Sequence, residues 1–91
     1  MTTYRIPKGI ASRKLSEEFF LLSPKTSTMH TLNPMGSAML TLLSNGKSPR
    51  EIGEILSQEF DARAETIEKD ANDLVTLLLD QGLLEVTGEK E

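Results

Sequence analysis

The stretch MHTLNPMGSAMLTLLSNG, residues 29–46, changes character at its middle. From Met29 to Leu32 it alternates as a strand does. From Asn33-Pro34 onward it reads as an amphipathic helix that ends on Asn45-Gly46. Asn33 suits an N-cap, and Pro34 suits the first helical position, where the missing N–H would have been unpaired anyway. Met35, Met39, Leu42 and Leu43 keep helical spacing, and Gly46 supplies the stop. A strand therefore runs directly into a helix start, and it carries the single histidine of the chain, His30.

Working outward, EEFFLLS is strand-like, STMHTLN alternates, and SPKTS between them supplies a turn. The three together predict a β-hairpin. IASRKL pairs beside it as a third, weaker strand. The first residues contain Pro7 and Gly9 and lack periodicity, so residues 1–12 are expected to form a flexible arm. Downstream, Ser48-Pro49-Arg50-Glu51 predicts a capping box, with Ile52, Ile55, Leu56 and Phe60 as the buried stripe of a second helix. A third helix runs from about Ala64 to Gln81, with Gly82 as its stop.

On that third helix Ile67, Ala71, Leu74 and Leu78 define one face at about 100° per residue. Val75 and Leu79 widen it on one flank and Leu77 on the other, so one flank could line a groove for an apolar segment. LLEVT reads as a closing strand. The order predicts an α+β domain over residues 13–87. An N-terminal antiparallel hairpin or three-stranded sheet precedes a three-helix winged helix-turn-helix-like core. Residues 88–91 are expected to be a disordered tail.

Composition narrows the function. The 91 residues include no cysteine, which excludes disulfides, thiolate metal sites and cysteine nucleophiles and fits a cytoplasmic setting. The longest apolar runs, FFLL and LLL, are far too short to span a membrane, and the N-terminus has no signal-like segment. Ten Lys and Arg against fourteen Asp and Glu give a net charge of -4, which opposes general attraction to phosphate backbones. Lys8, Arg13 and Lys14 could still form a local basic patch.

A lone histidine between Met29 and Thr31 is neither a nucleophile motif nor a metal-ligand spacing. It faces opposite to Met29 and suits a surface or groove role. Methionines 29, 35 and 39 suit core filling or an adaptable groove. A winged trihelical unit often reads DNA through its third helix. Here that helix carries Glu65, Glu68, Asp70, Asp73 and Asp80 against Lys69 alone, with no Arg to pair with guanine edges.

FFLLSPKTSTMHTLNPMGSAMLTLLSNGKSPREIGEILSQEFD, followed by a long helix ending LLLDQGLL, resembles the PqqD family over residues 13–86. The specific part is the order of a hairpin ending in Leu32-Asn33, then Gly36, then Leu42-Leu43 before a turn glycine. The chain differs from the family pattern at Leu40, where Trp is common, and at Ser44-Asn45, where Asp precedes the glycine. The resemblance implies a peptide chaperone without catalysis or cofactor. Such a protein binds the leader of a ribosomally made precursor peptide and presents it to a modifying enzyme, typically of the radical-SAM type, in pyrroloquinoline quinone synthesis or another modified-peptide pathway.

In the family the leader adds as a strand beside the hairpin and packs on the third helix. Carried onto this chain, the resemblance places the receiving strand at Ser27, Thr28, Met29, His30, Thr31 and Leu32. Its helical neighbours come from Lys69, Asn72, Asp73, Thr76 and Leu77, or from Val75 and Leu79 if the opposite flank is open. An exposed edge also allows a homodimer. The alternatives are a winged-helix transcription regulator and a structural interaction subunit.

Overall fold

Alternation along the hairpin sets the sheet. The computed structural model describes residues 2–15, 18–23 and 26–89. Strand β2 (Ala11–Leu15), β3 (Glu18–Ser23) and β4 (Thr28–Leu32) form an antiparallel sheet in that order. On β3, Leu21 and Ser23 are fully buried while Leu22 is exposed. The register pairs Leu21 with His30 and Leu22 with Met29, so His30 lies on the helix side and Met29 on the outer side.

Helices α1 (Pro34–Ser44), α2 (Pro49–Leu56) and α3 (Ala64–Asp80) follow. Each start is capped as its residues dictate, apart from α3, whose Arg63 makes no side-chain cap. The Asn33 side chain accepts from the Gly36 N–H at 2.7 Å. Ser48 and Glu51 complete both halves of the capping box, at 3.1 and 3.2 Å. Hydrogen bonds from the Ser48 backbone and hydroxyl hold the Glu51 carboxyl below its ordinary pKa.

Both long helices end alike. Gly46 and Gly82 take positive φ, and the residue after each glycine bonds back to the carbonyl five residues earlier. The bonds are Lys47 to Leu42 at 3.0 Å and Leu83 to Leu78 at 2.8 Å. This is the Schellman arrangement, open to glycine without strain. Phe60, expected on the α2 stripe, lies beyond the end of that helix and is half-buried against the core.

The core joins every layer. Leu21 and Leu32 come from the sheet, Met39, Leu40 and Leu43 from α1, Ile52 and Leu56 from α2, and Ile67, Ala71, Val75 and Leu78 from α3. Leu83 and Leu84 close it from the final connection. Each such Leu, Ile, Val or Met side chain contributes about 1.5–3 kcal/mol through burial.

Buried Ser37 ties the sheet to α1. Its Oγ accepts from the Phe19 N–H at 2.9 Å and donates to the Leu32 carbonyl at 3.1 Å, bridging residues that stand opposite each other on β3 and β4.

The chain ends differ from expectation. Within residues 1–12, read as an arm, Thr2–Arg5 form β1, and Ala11 and Ser12 open β2. Strand β1 pairs antiparallel with β5 (Glu85–Glu89), Arg5 opposite Glu85 with a 2.8 Å ion pair. The closing strand thus pairs with the N-terminus rather than with the hairpin. Gly88 and Glu89, assigned to a tail, belong to β5. The reason is physical: the partners lie at opposite ends of the sequence, so no local pattern reveals them. Glu17 of the expected strand, Pro24 and Lys25 of the expected turn, and Met1, Lys90 and Glu91 of the expected arm and tail lie outside the described residues.

Candidate functional site: a strand edge beside the third helix

Among the described residues, β4 has β3 on one side and no strand on the other. Backbone N–H and C=O groups of alternate residues in such a strand point away from its single partner. At about 3.4 Å per residue its five residues offer an edge of roughly 17 Å. None of Thr28, Met29, His30, Thr31 and Leu32 is formally charged by the ordinary count. Ser27, assigned to the receiving strand, instead sits in the hairpin turn with φ +53°, where the chain reverses.

Beside this edge, β4 packs on α1, whereas α3 packs chiefly on α2. A cleft of about 270 Å³ lies between them. Thr31, Leu32 and Asn33 line it from the strand end, Met35, Gly36 and Met39 from α1, and Asp70 and Leu74 from α3. Gly36 keeps this junction tight, since a Cβ there would stand 3.3 Å from Asn33 Oδ1 and 3.4 Å from Leu32 Cβ.

Two observations orient α3. Asp70 and Leu74 face the cleft. On the other side, a Cβ at Gly53 of α2 would lie 2.5 Å from the Ala64 carbonyl oxygen and 3.4 Å from Glu68 Cβ. The Glu68 flank therefore packs against α2. At about 100° per residue, Asp73 and Leu77 share the flank of Asp70 and Leu74, while Asn72 and Leu79 share that of Glu68. Val75 is buried.

Of the α3 residues named from sequence, Asp73 and Leu77 thus stand on the cleft flank, and Leu77 is 48% exposed. Thr76 lines an open hollow along α3 with Asp73, Leu77, Leu79 and Asp80, while Lys69 and Asn72 are exposed. Asn72 Nδ2 donates to the Glu68 carbonyl and Thr76 Oγ1 to the Asn72 carbonyl, so both side chains are satisfied within their own helix. None of Lys69, Asn72 and Thr76 lines the cleft between β4 and α3.

Sequence reasoning left Met35 and Met39 between core and groove and did not assign Asp70, Leu74 or Gly36 to the cleft. Gly53 is the signal that could have found the α3 pair, because a glycine inside a helix marks the side where another backbone approaches.

The strand residues divide by face. Met29 (62% exposed) and Thr31 point outward with Phe20 and Leu22. His30 is half-buried on the helix side, and its Nε2 is buried without a hydrogen-bond partner among the described residues. Among those residues, no three His, Asp or Glu side chains converge as metal ligands.

Three other hollows are less suited to an extended guest. One of about 690 Å³ lies along the outer side of α3, lined by Asp73, Thr76, Leu77, Leu79 and Asp80, with no strand residue among its walls. One of about 440 Å³ on the outer sheet face, lined by Ala11, Arg13, Leu15, Phe20, Leu22 and Met29, offers side chains and no backbone edge. One of about 210 Å³ lies beside β2, between Lys14 and the facing sides of α1 and α2, with Glu59 at its margin. No helix among the described residues is long and apolar enough to cross a membrane.

Comparisons with known proteins agree with this architecture. A solved structure described as "TbiB1 in Complex with the TbiA(beta) Leader Peptide" is 29% identical, with TM-score 0.74, over 96% of this chain and 99% of that one. Another, "Lasso peptide synthetase B1 complexed with the leader peptide", shares the fold at 23% identity and TM-score 0.78, over 90% of this chain and 96% of that one. No curated protein matches significantly. The sequence model of the family described as coenzyme PQQ synthesis protein D matches residues 18–84. The chain belongs to the PqqD family.

Proposed function

We propose that this protein binds the leader of a ribosomally made precursor peptide by strand addition to β4 and presents it to a modifying enzyme. The observation that carries the reading is the free, uncharged edge of β4 standing over an apolar cleft beside α3. Main-chain hydrogen bonds to that edge supply affinity, and alternate guest side chains entering the cleft supply specificity. Leaving such an edge open carries an aggregation hazard, which a peptide-binding role accounts for. The 29% identical neighbour, matched over nearly all of both chains, is a complex with a leader peptide, which supports the same use here.

The modifying enzyme is proposed to be of the radical-SAM type, from the family resemblance alone. The protein contributes binding and positioning and no catalytic group. A homodimer paired through β4 would occupy the same edge, so leader binding would dissociate it.

The DNA-binding alternative fares poorly on charge. Glu65, Asp70, Asp73 and Asp80 are exposed on α3 against Lys69 alone, and phosphates would repel that face. Fluorescence anisotropy separates the readings. A labelled leader of the precursor encoded beside this protein's gene should bind saturably, and duplex DNA should not compete. Binding to DNA in preference to the leader would overturn the proposal.

A further inference from the structure

Asp70 precedes Leu74 by about one turn of α3, and both line the cleft together with Leu32 of β4. An inward side chain of a guest paired with β4 therefore comes within reach of that aspartate–leucine pair.

At this pair the walls are apolar, built from Leu32, Met35, Met39 and Leu74, with the exposed Asp70 on the rim. The ion pairs among the described residues are Arg5–Glu85 and Arg50–Glu54, so neither Asp70 nor Asp73 is matched there. Apolar walls under a carboxylate rim suit a long methylene stem with a cationic end. An aliphatic residue would leave the carboxylate facing the guest unpaired, and an acidic one would be repelled.

Resting on the reading of this cleft as a peptide site, we propose that the segment pairing with β4 is basic on its inward side. A Lys or Arg lays its stem on Met35, Met39 and Leu74 and its charged end at Asp70.

The test is selection of short random peptides displayed on phage, against the full chain and in parallel against D70N/D73N. The wild-type selection should enrich Lys or Arg at one inward position, and the double variant should lose that preference while keeping the rest of the consensus. In a synthetic selected peptide, replacing the Lys with norleucine should weaken binding about fivefold at low salt. The difference should shrink at high salt and vanish on D70N/D73N. Enrichment of aromatic or aliphatic residues at that position, unchanged by D70N/D73N, overturns the charge inference and leaves the peptide site standing. Failure to select any peptide that shifts the β4 amides overturns both.

Discussion

The three-stranded sheet has two free edges, and they are built differently. β2 carries Arg13 and Lys14 in the middle of five exposed residues, with Lys14 Nζ 5.7 Å from the centre of the Phe19 ring. β4 carries Thr-Met-His-Thr-Leu and opens on a cleft with apolar walls. Charged residues on an edge discourage a second strand from adding, because pairing would strip water from them or bring like charges together. The difference shows that one sheet can close one edge and leave the other available without covering either with another element.

Four changes would break or sharpen this comparison, beginning with the largest. Ser37→Ala leaves the Phe19 N–H and the Leu32 carbonyl without their shared partner at a buried site. It should cost about 1–3 kcal/mol in urea denaturation. Leader affinity should fall too, because Leu32 ends β4. Thr31→Lys gives β4 the kind of guard β2 has. Thr31 is exposed, so stability should stay within about 0.5 kcal/mol, while leader affinity falls about tenfold, or about 1.4 kcal/mol. Unchanged affinity in calorimetry would break the comparison at its centre.

Ser48→Ala acts on α2, which lines the β2-side hollow. Loss of the cap should lower stability by about 1 kcal/mol and leave leader affinity unchanged. The pH dependence follows from Glu51, whose pKa is lowered in the folded state by Ser48. A depressed carboxylate stabilises the fold above the ordinary carboxylate range, and that contribution is lost as pH falls through the folded value. The urea midpoint should therefore fall under acid, and Glu51→Gln should show less of that fall. Smallest in stability is R13T/K14T, expected within about 0.5 kcal/mol. Its readout is sedimentation, where removing the guard should raise self-association without raising leader affinity.

What the sequence made legible was local. The Asn33 cap, the Ser48–Glu51 box and the two glycine stops are each decided within a few residues. The third strand was visible beside the hairpin, and His30 and Met29 could be seen to face opposite ways. Which of them turned inward depended on where the helices pack. β1 escaped notice because its partner β5 lies at the other end of the chain. On α3 the stripe Ile67–Ala71–Leu78 could be read from spacing, but its two flanks look alike without knowing where α2 sits. Spacing alone therefore did not single out Asp70, nor show that Leu74 of the stripe also lines the cleft. Ser37 gave no signal, since a serine inside a helix pattern announces nothing about two strands converging on it.

The central claim is that β4 and the cleft flank of α3 together receive a peptide strand. The most direct measurement is an amide chemical-shift titration of the full chain with the leader of the precursor encoded beside its gene. The account predicts the largest shifts at Thr28–Leu32 and around Asp70, Leu74 and Leu77, with Ala11–Leu15 quiet. Shifts centred on β2, or confined to the outer sheet face with β4 amides unmoved, would contradict it.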